Sequence, residues 1–183
     1  TFITMNLAKS LAIKGKKILV IDLDLRKASL SSYVDSPRIG ISNYLSGQIE
    51  NFSEIIVKDK VYPCLDVIPV GTIPPNPTEL LFDQRLEQML NLLKSEYNCI
   101  FIDCPPVEIV ADASIINKLS DMTLFIIRSG LLDRSMLFEI EGFYTDQKYK
   151  NMAIILNGTS EAYGHYGYRY GYRYGYHYGY GIG

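Results

Sequence analysis

Two stretches of the sequence place aspartates directly after short apolar runs, a pattern that can serve phosphate and metal-ion chemistry. Asp22 and Asp24 follow the run Ile18–Ile21, and Asp103 follows the run Cys99–Ile102. If both runs are parallel strands, their carboxyl ends share the sheet edge at which open α/β folds bind ligands. Three carboxylates at one edge repel one another unless a cation compensates them, and magnesium takes oxygen ligands of this kind. Each aspartate alone is explained as well by a polar cap at a strand exit, but the repeated pattern favours nucleotide chemistry.

The first residue predicts a second part of the same site. Thr1 stands at the head of a helical pattern, because Leu7, Ala8 and Leu11 recur at three- and four-residue spacing. A P-loop ends in Gly-Lys-Ser/Thr and opens directly into a helix whose N-terminus holds phosphates, so Thr1 occupies the place of its last residue. An arbitrary boundary of the chain is the alternative. The glycines and lysine of such a loop are not in the sequence, and we expect the chain to be a fragment that begins within a motif.

The C-terminal segment is dominated by tyrosine, glycine, arginine and histidine. Three interpretations compete: a low-complexity tail prone to β-aggregation, a surface that stacks on single-stranded nucleic acid with help from Arg169 and Arg173, and a cluster of phosphoacceptors. Each phosphate would add about −1.5 to −2 charges to a segment that is now weakly positive. Combined with the aspartate pattern, the phosphoacceptor interpretation leads, and its candidate residues are Tyr163, Tyr166, Tyr168, Tyr170, Tyr172, Tyr174, Tyr176, Tyr178 and Tyr180.

The elements that would position these residues alternate between apolar runs and amphipathic stretches. This alternation predicts an α/β fold with a doubly wound, mostly parallel sheet, because continuous apolar runs are typical of strands covered on both faces. Strands are predicted at Ile18–Ile21, Leu65–Val70, Cys99–Ile102, Leu124–Ile127 and Met152–Leu156, and helices at Phe2–Lys14, Thr78–Ser95, Ala111–Leu119 and Arg134–Tyr149.

Composition narrows the class of protein. The 183 residues are 48% hydrophobic with a formal net charge of −2, which fits one core and argues against a nucleic-acid binder. We expect a domain over residues 1–158 and a disordered tyrosine-rich tail over residues 159–183. Three cysteines without paired spacing suggest neither disulfides nor zinc, and His165 and His177 belong to the repeat rather than to a metal site. No apolar run is long enough to span a membrane, and a reducing cytoplasm fits these features.

Several of these motifs resemble the bacterial tyrosine kinases of capsular and extracellular polysaccharide export, which belong to the wider MinD/ParA class of P-loop ATPases. Thr1–Ala8 is similar to the sequence after the family's P-loop lysine, and Asp22–Arg26 is similar to its Asp-x-Asp-x-Arg motif. Asp103–Pro106 resembles its Walker B segment. The stretch Gly71–Leu81, with its Pro-Pro-Asn-Pro sequence, and the segment Ile155–Gly158 also match. The resemblance covers nearly all of the chain and implies a three-layer fold of the P-loop NTPase type.

The resemblance implies roles for individual residues. Asp22 would act on the acceptor hydroxyl as a base or orienting group, and Asp24 would share in catalysis. Magnesium would be held by Thr1, Asp24 and Asp103, and the nucleotide would contact Thr1 and Asn157. Arg26 and Arg128 are further candidates for stabilising the transferred phosphoryl group, although surface ion pairs explain both equally well.

The resemblance also implies a biological setting. ATP and magnesium would be the cofactors, and the domain would form ring-like homo-oligomers in which one subunit's tail enters a neighbour's site. Its partners would be a membrane-anchored chain-length or activator domain and a tyrosine phosphatase, at the cytoplasmic face of the inner membrane, with no nucleic acid. Two alternatives stay open: a MinD/ParA-type positioning ATPase without kinase activity, and a non-catalytic scaffold that is itself phosphorylated.

Overall fold

The computed structural model describes residues 1–35, 37–106 and 116–159 and divides the chain into two compact units. Of the described residues, the first unit contains those within Thr1–Thr123 and Tyr149–Asn151, and the second contains Leu124–Lys148 and residues 152–159. Each unit is an α/β structure, which confirms the predicted fold class. The predicted division at residue 158 stays a prediction, because residues 160–183 lie outside the described residues.

In its described residues, the first unit contains four strands and four α-helices of five or more residues. Its helices are α1 (Phe2–Ile13), α2 (Ile41–Leu45), α3 (Pro77–Leu81) and α4 (Gln84–Leu93). Its strands are β1 (Ile18–Asp22), β2 (Val57–Lys58), β3 (Leu65–Ile68) and β4 (Cys99–Asp103). Two 3₁₀ helices at Ser29–Val34 and Phe52–Ile55 and a helical turn at residues 116–119 complete it.

The strands of the first unit form one sheet in the order β2-β3-β1-β4. β1 lies between β3 and β4 and is parallel to both, whereas the short β2 is antiparallel to β3. The register pairs Asp22 at the end of β1 with Asp103 at the end of β4. The sheet therefore brings two of the predicted site residues to the same edge.

β1 is buried on both faces because its side chains alternate between two apolar layers. Ile18 and Val20 pack on one face with Met5 and Ala8 of α1. On the opposite face, Leu19 and Ile21 belong to a cluster with residues of the other three helices, including Ile41, Leu81, Leu86, Met89 and Leu90. The result is the three-layer arrangement that the continuous apolar run predicts.

The second unit pairs two parallel strands, β5 (Leu124–Arg128) and β6 (Ala153–Asn157), and adds helix α5 (Met136–Thr145). Phe125 of β5 contacts Phe143 of α5 with ring centroids 5.9 Å apart. Unlike β1, both strands keep exposed apolar residues, among them Ile154 and Leu156. The prediction that all strands are covered on both faces is wrong for β5 and β6.

The structure corrects two predicted helices. The stretch predicted as one helix over Thr78–Ser95 is divided into α3 and α4, because Asp83 is extended and its carboxylate accepts a hydrogen bond from the Arg85 N–H at 2.8 Å. That contact starts a new helix rather than continuing the old one. The helix predicted over Arg134–Tyr149 is shorter, and α5 ends at Thr145. Of the helix predicted over Ala111–Leu119, residues 111–115 lie outside the described residues.

Other predictions concern termini and membrane spans. α1 ends at Ile13, one residue before the predicted Lys14. Gly15 follows Lys14 with a φ of +75°, a conformation that glycine adopts without strain. None of the three cysteines, all of which lie in the described residues, forms a disulfide. Among the described residues, no helix has the length and apolarity that crossing a membrane requires.

Candidate active site

Asp22 is the most deeply buried ionisable group of the site. Its side chain is 0% exposed at the end of β1. One carboxylate oxygen accepts a hydrogen bond from the Asp24 N–H at 3.0 Å, and the other accepts one from the Leu30 N–H at 3.1 Å. The Asp22 carboxylate therefore fixes the backbone of Asp24, two residues ahead, and the start of the first 3₁₀ helix.

The loop after β1 is shaped by the two aspartates of the Asp-x-Asp motif. Asp24 is also buried. Its carboxylate accepts a hydrogen bond from the Lys27 N–H at 3.3 Å, and its backbone carbonyl accepts one from the Ala28 N–H at 3.0 Å. Ala28 then takes a left-handed conformation with a φ of +49° before the 3₁₀ helix begins. Short polar side chains that bind the backbone two or three residues ahead are typical turn formers, which explains why the chain reverses here.

Asp103 connects the end of β4 to the start of α1. Its Oδ2 accepts a hydrogen bond from the Thr1 hydroxyl at 2.5 Å, and its Oδ1 accepts one from the Thr4 hydroxyl at 2.7 Å. The Thr1 Oγ1 also lies 2.8 Å from the Ser29 Oγ. Thr1 and Asp103, which were both expected to hold magnesium, are therefore in direct contact in the structure.

The electrostatics of the site centre on Asp22. Burial raises the pKa of its carboxyl from an ordinary value of 3.8 to about 6. The hydrogen bonds from the Leu30 and Asp24 N–H groups oppose this rise, whereas the negative charges of Asp103 and Asp24 add to it. A carboxyl with a pKa near 6 is still mostly ionised at neutral pH and is a stronger base than an exposed aspartate.

The three aspartates and Thr1 offer the hard oxygen ligands that magnesium prefers. In the described part of the chain, the three aspartates do not form a closed metal site, because no group of three His, Cys, Asp or Glu side chains is placed to hold an ion. The residues fit a cation that binds the protein through the Thr1 hydroxyl, one carboxylate or a water held by them. The rest of its ligands would then be phosphate oxygens.

Arg26 ties the aspartate loop to the next part of the edge. Its Nη2 donates to the Thr78 hydroxyl at 3.3 Å, which joins the loop after β1 to the start of α3. Thr78 belongs to the Pro-Pro-Asn-Pro-Thr stretch that resembles a motif of the bacterial tyrosine kinases. The motif therefore borders the loop that carries Asp22 and Asp24.

Two predicted residues belong to the second unit. Arg128 and Asn157 end β5 and β6 and are register partners, and the Asn157 carbonyl accepts a hydrogen bond from the Ser129 N–H at 2.8 Å. They lie side by side, but their predicted roles toward the nucleotide and the phosphoryl group stay predictions. The nine candidate phosphoacceptors, Tyr163 to Tyr180, lie outside the described residues.

Sequence reasoning missed Thr4, Ser29 and Leu30. Thr4 had a usable signal, because it follows Thr1 by three residues and so lies on the same face of α1. Ser29 and the Leu30 N–H had none, since their contacts depend on a turn seven and eight residues after Asp22.

Comparison with known proteins agrees with the fold. The family model described as an AAA domain matches residues 1–132. The structure of the MinD septum site-determining protein of Pyrococcus horikoshii, complexed with Mg-ADP, has a TM-score of 0.66 at 22% identity, over 84% of this chain and 62% of that one. The first unit is thus part of a domain of the P-loop ATPase class.

Two further proteins narrow the class to a family. The tyrosine-protein kinase CpsD of Streptococcus agalactiae is 35% identical over 164 residues, which cover 88% of this chain and 70% of CpsD. The kinase domain of the Escherichia coli tyrosine kinase ETK superimposes with a TM-score of 0.77 at 28% identity, over 99% of this chain and 66% of that one. The chain belongs to the bacterial tyrosine-protein kinase family. This confirms the resemblance of its motifs.

Proposed function

We propose that this protein transfers the γ-phosphoryl group of ATP to tyrosine side chains, including those of its own C-terminal repeat. The observation that carries the proposal is Asp22, a fully buried carboxylate whose pKa is raised to about 6 and which is held by two backbone hydrogen bonds. Positioning and charge neutralisation supply most of the catalysis in phosphoryl transfer, so a rigid base at the sheet edge is what the reaction requires.

In the proposed reaction, a tyrosine hydroxyl reaches the Asp22 carboxylate and gives up its proton as its oxygen bonds to the γ-phosphorus. The bond from that phosphorus to the bridging β–γ oxygen breaks, and ADP leaves with the electron pair. Asp24 shapes the loop that presents Asp22, and the contacts of Asp103 with Thr1 and Thr4 fix the first turn of α1. Backbone N–H groups at that helix end favour phosphate oxygens.

Magnesium would be held at Thr1, Asp24 and Asp103 and would supply charge neutralisation at the phosphates. The chemistry of the residues supports this assignment, because hydroxyl and carboxylate oxygens meet at the edge where Asp22 is destabilised by its negative neighbours. Asn157 would contact the nucleotide, and Arg26 and Arg128 would act on the transferred phosphoryl group.

The wider setting follows from the family and is proposed for this chain. We expect a role in capsular or extracellular polysaccharide biosynthesis and export, at the cytoplasmic face of the membrane. A ring-like homo-oligomer would present the tail of one subunit to the site of the next. A membrane-anchored activator domain and a tyrosine phosphatase would be its partners.

One alternative has its own support. The likeness of fold to MinD is compatible with an ATPase that positions other proteins and phosphorylates nothing. The tyrosine repeat distinguishes the two functions, because a positioning ATPase gives no reason for it. A non-catalytic scaffold is a weaker alternative, since the buried acids of the site are intact.

The test is to follow ADP release and protein-bound label in parallel after adding γ-³²P-ATP and magnesium to the full-length protein. A kinase transfers label to tyrosine at a rate comparable to ADP release. ADP release with unlabelled tyrosines would favour the positioning ATPase, and neither product, with an activator domain present, would favour the scaffold.

A further inference from the structure

Ser29 connects the loop after β1 with the residue that precedes α1. Its Oγ lies 2.8 Å from the Thr1 Oγ1, although the two residues are 28 positions apart in the sequence. The Thr1 hydroxyl also donates a hydrogen bond to the Asp103 Oδ2 at 2.5 Å. The loop after β1 and the end of β4 therefore both contact the single hydroxyl group that the proposed function assigns to magnesium.

The donor in the contact between Ser29 and Thr1 follows from the number of hydrogens. A threonine hydroxyl carries one hydrogen and two lone pairs. A carboxylate only accepts hydrogen bonds, so the hydrogen of the Thr1 hydroxyl is used by Asp103. Ser29 is therefore the donor to Thr1, and the Thr1 oxygen keeps one lone pair for a further ligand. A metal ion can bind this oxygen while both hydrogen bonds remain.

The 3₁₀ helix that begins at Ser29 is anchored to the proposed base. The Asp22 Oδ2 accepts a hydrogen bond from the Leu30 N–H at 3.1 Å, and the Ser32 hydroxyl donates to the Ser29 carbonyl at 3.0 Å. The Ser29 backbone is thus held in place where its hydroxyl meets Thr1. Two consecutive residues of the chain contact the proposed metal ligand and the proposed base.

We propose that Ser29 is a positioning residue, which orients the magnesium ligand Thr1 and aligns it with the base Asp22. The inference rests on the proposed function. By donating to the Thr1 oxygen, the Ser29 hydroxyl restricts the rotation of the Thr1 hydroxyl and keeps its free lone pair in one orientation. Hydrogen-bond partners of metal ligands orient those ligands, and their loss typically weakens metal binding about 10- to 100-fold. Because Ser29 is exposed, we expect an effect near the lower end of this range.

A contact that only closes the loop would behave differently. An exposed hydrogen bond exchanges readily with water, so the loss of the Ser29 hydroxyl costs the fold little. A change in the shape of the loop would alter the affinity for a nucleotide equally with and without magnesium. A residue that orients the metal ligand changes the magnesium-dependent part of the affinity alone.

The test measures the Kd of ADP for the full-length protein, once with magnesium and once with EDTA. Ser29→Ala should raise the Kd of Mg-ADP about tenfold and leave the Kd in EDTA unchanged. Ser29→Thr keeps a hydroxyl and should bind Mg-ADP as the wild type does. Ser53→Ala is the matched control, because Ser53 is another exposed serine of a 3₁₀ helix and its hydroxyl donates to the Asn51 side chain. Equal Mg-ADP constants for Ser29→Ala and Ser53→Ala, or a rise that persists in EDTA, overturn the inference.

A double-mutant cycle tests whether Ser29 acts through Thr1. Thr1→Val removes the hydroxyl and keeps the branched shape of the side chain. In this variant Ser29→Ala should have no further effect on the Kd of Mg-ADP, because the effects of two residues that act through one contact do not add. A full tenfold effect of Ser29→Ala in the Thr1→Val protein would show that Ser29 acts elsewhere, and the inference would fall.

Failure of the proposed kinase function gives a different result. A wild-type protein that binds Mg-ADP but phosphorylates no tyrosine would remove the kinase function, and the same binding constants would still decide the role of Ser29. A Kd of ADP that magnesium does not lower in the wild type would remove both the metal assignment and the role of Ser29.

Discussion

The edge of the first unit and the strand ends of the second unit both carry polar residues, but the two regions hold them differently. Asp22 and Asp103 are buried, and each accepts at least two hydrogen bonds from residues of other elements or turns. Arg128 and Asn157 lie at the ends of half-exposed strands. A side chain that is hydrogen-bonded from several directions is held in one orientation, as a catalytic group requires. The structure therefore supports a catalytic role for Asp22, whereas the role of Asn157 rests on the family resemblance.

The largest expected effect separates the two regions by activity. Asp22→Asn should lower kcat for tyrosine phosphorylation by about 10²- to 10⁴-fold, because it removes the proposed base while keeping the shape of the side chain. Asn157→Ala should change kcat by less than about threefold and act mainly on the KM for ATP. Steady-state kinetics of both variants decide the point, and equal losses of kcat would break the comparison.

Backbone geometry gives the second contrast. Gly71→Ala should lower the free energy of unfolding by about 3 kcal/mol, since the residue has a φ of +79° and its new Cβ would meet the Gly40 backbone. Gly158→Ala in the second unit should cost only about 1 kcal/mol, because at a φ of +72° the nearest atom lies 3.6 Å away in the Arg128 side chain. Urea denaturation measures both, and the contrast fails if the two costs are equal.

The raised pKa of Asp22 predicts how stability depends on pH. Its pKa of about 6 lies above the ordinary value of 3.8, so between these values the folded state binds more protons than the unfolded state. This carboxyl therefore lowers stability as pH rises from about 4 to 6, by up to about 3 kcal/mol. Asp22→Asn removes this term, and its unfolding free energy relative to wild type should rise over that pH interval. A pH-independent difference would show that the Asp22 pKa is ordinary.

The smallest expected effect concerns a residue that positions another. Thr4→Val removes the hydroxyl that donates to Asp103 and should lower kcat about tenfold, the equivalent of one hydrogen bond. Thr145→Val is the control, because that hydroxyl donates to a carbonyl within α5 and contacts no predicted site residue. The Thr4→Ser variant keeps a hydroxyl at this position and should retain most of the wild-type kcat. Loss in all three variants would indicate a general effect on folding.

Much of the fold could be predicted because the strongest signals are local. The continuous apolar runs predicted β1, β4, β5 and β6, and the strand–aspartate pattern predicted that Asp22 and Asp103 share an edge. The break between α3 and α4 was missed, because the periodicity of leucines continues across Phe82 and Asp83 while the backbone does not. The residue types at the turn between the two helices decide where the first helix ends. The spacing of apolar residues carries no information about that position.

The site was predicted less completely than the fold. Thr1, Asp22 and Asp103 were placed by motif and spacing, yet the contacts that fix them come from Thr4, Ser29 and Leu30. The close approach of Gly40 and Gly71, 31 positions apart, also had no sequence signal. Contacts between distant parts of a chain follow from packing, and no pattern within one segment encodes them.

The central claim is that the Asp22 site phosphorylates the tyrosine repeat. Its most direct test is site-resolved mass spectrometry of the full-length protein after incubation with ATP and magnesium, beside the Asp22→Asn variant. The account predicts phosphate on tyrosines between Tyr163 and Tyr180 in the wild type and almost none in the variant. Equal phosphorylation of the repeat in both proteins would contradict it.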